Sequence, residues 1–69
     1  MEKIKITSEY IKLDQFLKWA NIVGSGVDAK MLIQDGFVKV NGELELRRGR
    51  KLYIGDKIIF DNKDQYEIV

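Results

Sequence analysis

Hydrophobic and polar positions along the chain change period several times, and each change marks an element. Lys3-Ile-Lys-Ile-Thr7 alternates with period two, with Ile4 and Ile6 on one face and Lys3 and Lys5 on the other. It predicts a short half-buried strand at a sheet edge, where lysines discourage edge-to-edge pairing. From Leu13 the period becomes helical. Leu13, Phe16, Leu17 and Ala20 form one stripe, and Asp14, Gln15, Lys18 and Asn21 fill the opposite arc. This helix is expected to stop near Ile22 or Val23, ahead of Gly24-Ser-Gly26. Trp19, at the edge of the stripe, reads as a core residue. Ser25 reads as the N-cap of a second helix, with Asp28 three residues on as in a capping box. In that helix Ala29, Leu32 and Ile33 face inward, Lys30 and Gln34 face outward, and Gly36 is the left-handed stop.

The rest of the chain reads as short strands. Phe37 to Val40 places Val38 and Val40 on one face, and Asn41-Gly42 is a type I′ hairpin turn. Glu43 to Leu46 continues with Leu44 and Leu46 inward. Arg47 to Lys51 is a basic interruption, after which Leu52 and Ile54 alternate with Lys51 and Tyr53. Gly55-Asp56 turns into Lys57 to Phe60, Asp61 to Asp64 is a polar turn, and Gln65 to Val69 closes the chain. The order of elements predicts an α+β fold, with two helices packed on one face of a small, strongly bent antiparallel sheet.

Composition narrows the function. A chain of 69 residues with 45% hydrophobic and 33% charged residues reads as one globular domain spanning residues 1–69, neither disordered nor membrane-spanning. Its alternating start has no signal-peptide stretch, so a cytoplasmic location is expected. There is no Cys and no His. A thiol nucleophile, a zinc-thiolate site and the usual general base are therefore all absent. Asp14 and Asp28 are the one conceivable acid pair, and helix capping accounts for both. No catalysis, metal or cofactor is expected.

Charge distribution says more than the net charge of +1. Arg47, Arg48, Arg50 and Lys51 put four basic residues within five positions, around Gly49. Arginine forks bind phosphate oxygens bidentately. The competing reading is a solvated loop paired with Glu43 and Glu45. Against it, Asp56, Asp61, Asp64 and Glu67 outweigh Lys57 and Lys63 beyond Tyr53, so a basic side and an acidic side are expected. Gly24-Ser-Gly26 is compatible with a phosphate at a helix start, but a helix turn with a serine cap is the simpler reading. Phe37 beside Lys39 and Tyr53 beside Lys51 are possible base-stacking pairs. Phe37 reads rather as packing on a helix flank, and Tyr53 stays open between the two. Lys12, Lys18 and Lys30 matter only if the fold brings them beside the arginine loop.

Four segments in order carry a resemblance: Leu13-Asp-Gln-Phe-Leu17, Ser25 through Ala29-Lys30 with Leu32-Ile33, Gly36-Phe-Val-Lys-Val-Asn-Gly42, and Gly55-Asp56-Lys-Ile58. Across residues 12 to 58 they resemble the ribosomal-protein-S-four-type RNA-binding domain. Arg47 to Asp56 is similar to its short stand-alone YaaA/YbcJ-type members. The resemblance implies a two-helix (alpha-L) motif whose face binds RNA together with the adjoining hairpin loop. By position, Lys12, Ser25, Lys30, Lys39 and Asn41 become candidate contacts, and Arg47, Arg48, Arg50 and Lys51 become the basic loop. Two departures weaken the helix face. Lys12 replaces the usual Arg and loses its bidentate fork, and Gly26 replaces an Arg common after the serine. The expectation is a non-catalytic, monomeric RNA-binding protein acting on ribosomal RNA or ribosomal particles in assembly or quality control. It would have no membrane or small-molecule partner. The alternative is a protein-interaction module whose basic loop docks on an acidic partner.

Overall fold

The computed structural model covers residues 1–69. Helix α1 runs over Leu13–Trp19 and buries Leu13, Phe16 and Leu17, the predicted stripe. It ends three residues before Ile22 because Asn21 turns left-handed, with φ 61°. Asparagine tolerates that region and here serves as the stop that glycine usually provides. The N–H groups of Ile22 and Val23 then return to the Leu17 carbonyl at 3.0 and 3.3 Å, which satisfies the last turn. Helix α2 spans Gly26–Gln34 and buries Ala29 and Ile33 against α1. Ser25 is its N-cap as expected, with Oγ accepting the Asp28 N–H at 3.2 Å. Gly36, at φ 86°, turns the chain directly into the next strand.

The remaining elements are β1 (Glu2–Ile4), β2 (Ile11–Lys12), β3 (Val38–Val40), β4 (Glu43–Leu44), β5 (Lys51–Leu52), β6 (Lys57–Phe60) and β7 (Asp64–Ile68). Five of them form one sheet in the order β1-β7-β6-β3-β4. It is mixed rather than antiparallel, because β1 runs parallel to β7 with Glu2 opposite Tyr66 and Ile4 opposite Ile68. Hairpin turns force antiparallel neighbours, but nothing of that kind joins β1 to β7. The whole chain forms the connection, and a long connection permits either direction. Strands β2 and β5 make a separate two-stranded ladder, with Ile11 opposite Leu52 and Lys12 opposite Lys51. The sequence pattern did not show this ladder.

A further expectation fails, on side-chain direction. Leu44 and Leu46 are not inward but 55% and 51% exposed. The reason is parity. The two-residue turn at Asn41-Gly42 places Val40 opposite Glu43 and Lys39 opposite Leu44, and directly opposed residues share a face. Glu43 and Glu45 therefore share the face of the buried Val38 and Val40, and Leu44 takes the other; at the sheet edge Glu43 stays exposed and only Glu45 is buried. Ile54 is exposed as well. Strand β5 is only two residues long, and the chain reverses at once, with the Asp56 N–H bonding the Tyr53 carbonyl at 3.0 Å.

The core lies between the helices and the inner face of the sheet. Phe16, Leu17, Ala29 and Ile33 meet Val38, Val40, Ile58 and Ile68 there. Phe16 packs edge-on to Tyr66, with ring centroids 5.5 Å apart. No helix is long and apolar enough to cross a membrane.

Candidate nucleic-acid interface

Hairpin parity delivers a carboxylate to the core side of the sheet, where it must find partners. Glu45 finds them in the basic loop. Its Oε2 accepts the backbone N–H and the Nε of Arg47, both at 3.0 Å, and its Oε1 accepts Nη2 of Arg47 at 3.1 Å. Nη1 of Arg50 donates to the same Oε1 at 2.7 Å. The Arg47 fork, above all, holds the Glu45 carboxyl at about 2, below its ordinary 4.5. Arg50 adds to this against the cost of burial. The bond to Glu45 correspondingly raises Arg47. The loop is exposed but tethered, so the expected pairing with an acid is realised at Glu45.

The anchored loop in turn completes α1. Lys12, the N-cap, makes no side-chain capping bond. Instead the Leu13 N–H donates to the Arg50 carbonyl at 2.8 Å, and the Asp14 N–H to the Arg48 carbonyl at 3.0 Å. Two of the helix's orphan donors are thus satisfied by the loop backbone. This brings Lys12, Arg47, Arg48, Arg50 and Lys51 together at one end of α1. Arg48 is exposed and unpaired, and Lys51 lies opposite Lys12 in the β2–β5 ladder. Of the acids weighed as partners for this loop, Glu45 is used and Glu43 is not.

The other predicted site residues divide. Lys18 is exposed on α1, on the outward face with Gln15 and Trp19. Lys30 is exposed on α2, with no hydrogen bond or ion pair linking it to the loop. The Ser25 hydroxyl is used by the Asp28 N–H. Lys39 faces away from the helices, between Leu44 and Ile59, on the far side of the sheet. Asn41 adopts the left-handed turn at φ 52° and spends both ends of its amide on the fold. Its Nδ2 donates to Asp56 Oδ1 at 3.0 Å, and its Oδ1 accepts the Lys57 N–H at 3.0 Å. Asp56 Oδ2 takes the Tyr53 N–H at 2.8 Å, so one carboxylate ties two turns together.

Tyr53, left open by the sequence, and Tyr10, which no sequence motif singled out, lie next to this region. Lys51 Nζ sits 4.7 Å above the Tyr10 ring, and Tyr10 lies 6.0 Å from Tyr53. Trp19, expected in the core, is 67% exposed. At 100° per residue it lies roughly 110° from the centre of the apolar stripe, an angle that already favoured the outward face. Phe37 packs against Phe60 at 6.2 Å, on the flank of the core.

A family model described as the S4 domain matches residues 4–69, nearly the whole chain. The chain belongs to the S4 domain family. A curated relative, "Probable ribosome maturation protein RlbA" of Bacillus subtilis (strain 168), is 42% identical over 66 residues, covering 96% of this chain and 93% of that protein. Among solved structures, the 30S ribosomal protein S4e of Thermoplasma acidophilum superimposes with a TM-score of 0.68 at 18% identity. The match covers 91% of this chain and 33% of that one, and it establishes the shared fold. In this S4 domain the segments that carried the resemblance are chiefly architectural. Leu13, Leu17, Ala29, Ile33, Val38 and Val40 are core, and Asn41 and Asp56 form the bond between turns.

Proposed function

We propose that this S4 domain is a non-catalytic RNA-binding protein that acts on ribosomal RNA or ribosomal particles during their maturation. Membership of the S4 family and similarity to a probable ribosome maturation protein support the reading. The observation that carries it is the Glu45 anchor. A buried carboxylate fixes two arginines, and the loop they belong to presents Arg48 and Lys51 beside Lys12 at the start of α1. Rigid presentation of cations lowers the ordering cost of gripping phosphates. With Glu45 counted against Arg47 and Arg50, the cluster of four basic residues keeps a charge of +3 (4 − 1). Arg48, Lys51 and Lys12 are the principal phosphate contacts, and Lys18 extends the cationic surface along α1. Lys30, exposed on α2 with nothing linking it to the loop, lies apart from this surface. Ser25, Asn41 and Lys39 contribute through the fold or lie apart.

Crosslinking in cells followed by RNA sequencing tests this reading directly. Enrichment of ribosomal RNA is the expected result. Recovery of protein partners without RNA would sink it and favour the docking of the basic loop on an acidic protein.

A further inference from the structure

The outward face of α1 ends in a large exposed aromatic ring that neither the core nor the arginine loop uses. Gln15, Lys18 and Trp19 stand at i, i+3 and i+4, so they share that face. The loop before β2 rises beside them. Together Ser8, Tyr10, Ile11, Gln15, Lys18 and Trp19 line an open cleft of about 540 Å³. Trp19 also borders a smaller recess of about 120 Å³ formed with Lys5, Ile6 and Thr7. One indole therefore walls two adjoining depressions.

We infer that this cleft receives an unpaired RNA base, stacked on Trp19. The inference rests on the RNA-binding reading above and adds to it a class of target, single-stranded or looped RNA. Three observations and one general principle point the same way. First, Tyr10 already has Lys51 above one face and Tyr53 beside it, whereas Trp19 has no aromatic or cationic partner and is the free platform. Second, no acidic residue lines either depression. Lys18 lies at the rim, and Lys51 over Tyr10 leads toward Lys12, so cations are available to the phosphates that flank a stacked base. Third, the cleft offers groups for a base edge. The Gln15 side-chain amide makes no hydrogen bond within the chain. Ser8 Oγ donates to the Tyr10 carbonyl at 2.8 Å and keeps its lone pairs free as acceptors. Fourth, an aromatic platform beside a cationic track is the combination that binds single strands, because every base has a π-face. A duplex keeps its bases stacked on each other and cannot use the platform.

Trp19 is the chain's one tryptophan, so its emission reports on the site alone. The full chain is titrated at low salt with an unstructured RNA of about ten nucleotides and with a blunt duplex of the same sequence. Anisotropy of the labelled RNA gives binding, and indole emission gives contact. Both RNAs are expected to bind, and only the unstructured one to quench the emission. Trp19→Ala should lose about 5- to 150-fold in affinity for the unstructured RNA and keep its affinity for the duplex, while Trp19→Phe retains most of both. Unstructured RNA that saturates the parent protein without changing its emission overturns the inference but leaves RNA binding intact. So does a Trp19→Ala variant, melting like its parent, that binds the unstructured RNA unchanged. If the parent binds neither RNA, the RNA-binding reading falls and this inference falls with it.

Discussion

Arg50 donates to the Glu45 carboxylate at 2.7 Å with its side chain, while its backbone carbonyl accepts the first N–H of helix α1 at 2.8 Å. One residue thus links a buried acid in the sheet to the start of a helix on top of it. Glu45 is consequently part of the mechanism that shapes the basic loop, and its titration should be visible in stability.

The folded Glu45 carboxyl sits at about 2 and its ordinary value is 4.5. A lowered folded value contributes stability that is complete above the unfolded one and is lost as pH falls toward the folded one. Between about pH 5 and pH 2 the protein should lose on the order of 1–2 kcal/mol through this group, less than the shift alone implies because Arg47 is largely in water. Glu45→Gln should cost about 2 kcal/mol at neutral pH. Urea melts across this range should show the gap between parent and variant closing as pH drops. A constant gap would contradict the role of the charge.

The division of labour within the loop gives opposite phenotypes. Arg48→Gln combined with Lys51→Gln removes two cations that pair with no carboxylate. It should flatten the slope of log affinity against log salt by about 1.4–1.8 with little change in melting. Arg47→Gln combined with Arg50→Gln should instead lower stability by about 2–4 kcal/mol, because it strands the buried Glu45. Salt-titrated RNA binding and thermal melts on both variants check the two halves.

Asn41 faces a stricter demand than a generic turn residue. It combines a positive φ with two side-chain hydrogen bonds to the neighbouring turn. Asn41→Ala should cost about 1–3 kcal/mol. Combined with Asp56→Ala it should cost less than the sum of the two single changes, since both remove the same bond. A double-mutant cycle by chemical denaturation measures this, and strict additivity would refute the coupling.

Ser25→Ala tests a residue weighed for both capping and phosphate binding. With its hydroxyl already accepting the Asp28 N–H, it should lose about 1 kcal/mol of stability. RNA affinity measured under folded conditions should stay the same. A drop in affinity there would give Ser25 a direct contact.

Much of this architecture was legible in the chain because local rules dictated it. The α1 stripe, the Ser25 cap, the Gly36 stop and the Asn41-Gly42 turn each follow from a spacing or a conformational need of a few residues. The inward leucines were misread although the contrary rule was present: a two-residue turn after an inward Val40 obliges Glu43 and Glu45 to face the same way. Hydrophobicity argued for Leu44, and hairpin geometry prevailed because Arg47 and Arg50 neutralise the buried acid. Trp19 was assigned to the core by residue type when its helical angle pointed out. The β2–β5 ladder and the parallel β1 depend on segments far apart in sequence, and no local pattern announces them. The candidate interface divides likewise, since the basic run is visible as composition while its anchoring by Glu45 depends on the fold.

The pairing of β1 with β7 sets an order of events during synthesis. Residues 2–4 are made well before their partners, residues 66–68. Until then Ile4, in the unpaired β1, and Ile6 just beyond it are left without a partner in the nascent chain. Lys3 and Lys5, interleaved with them, keep that waiting segment charged and poorly suited to pairing with a neighbouring chain. The sheet is therefore closed by its oldest strand, and truncating residues 64–69 should leave that strand permanently without a partner.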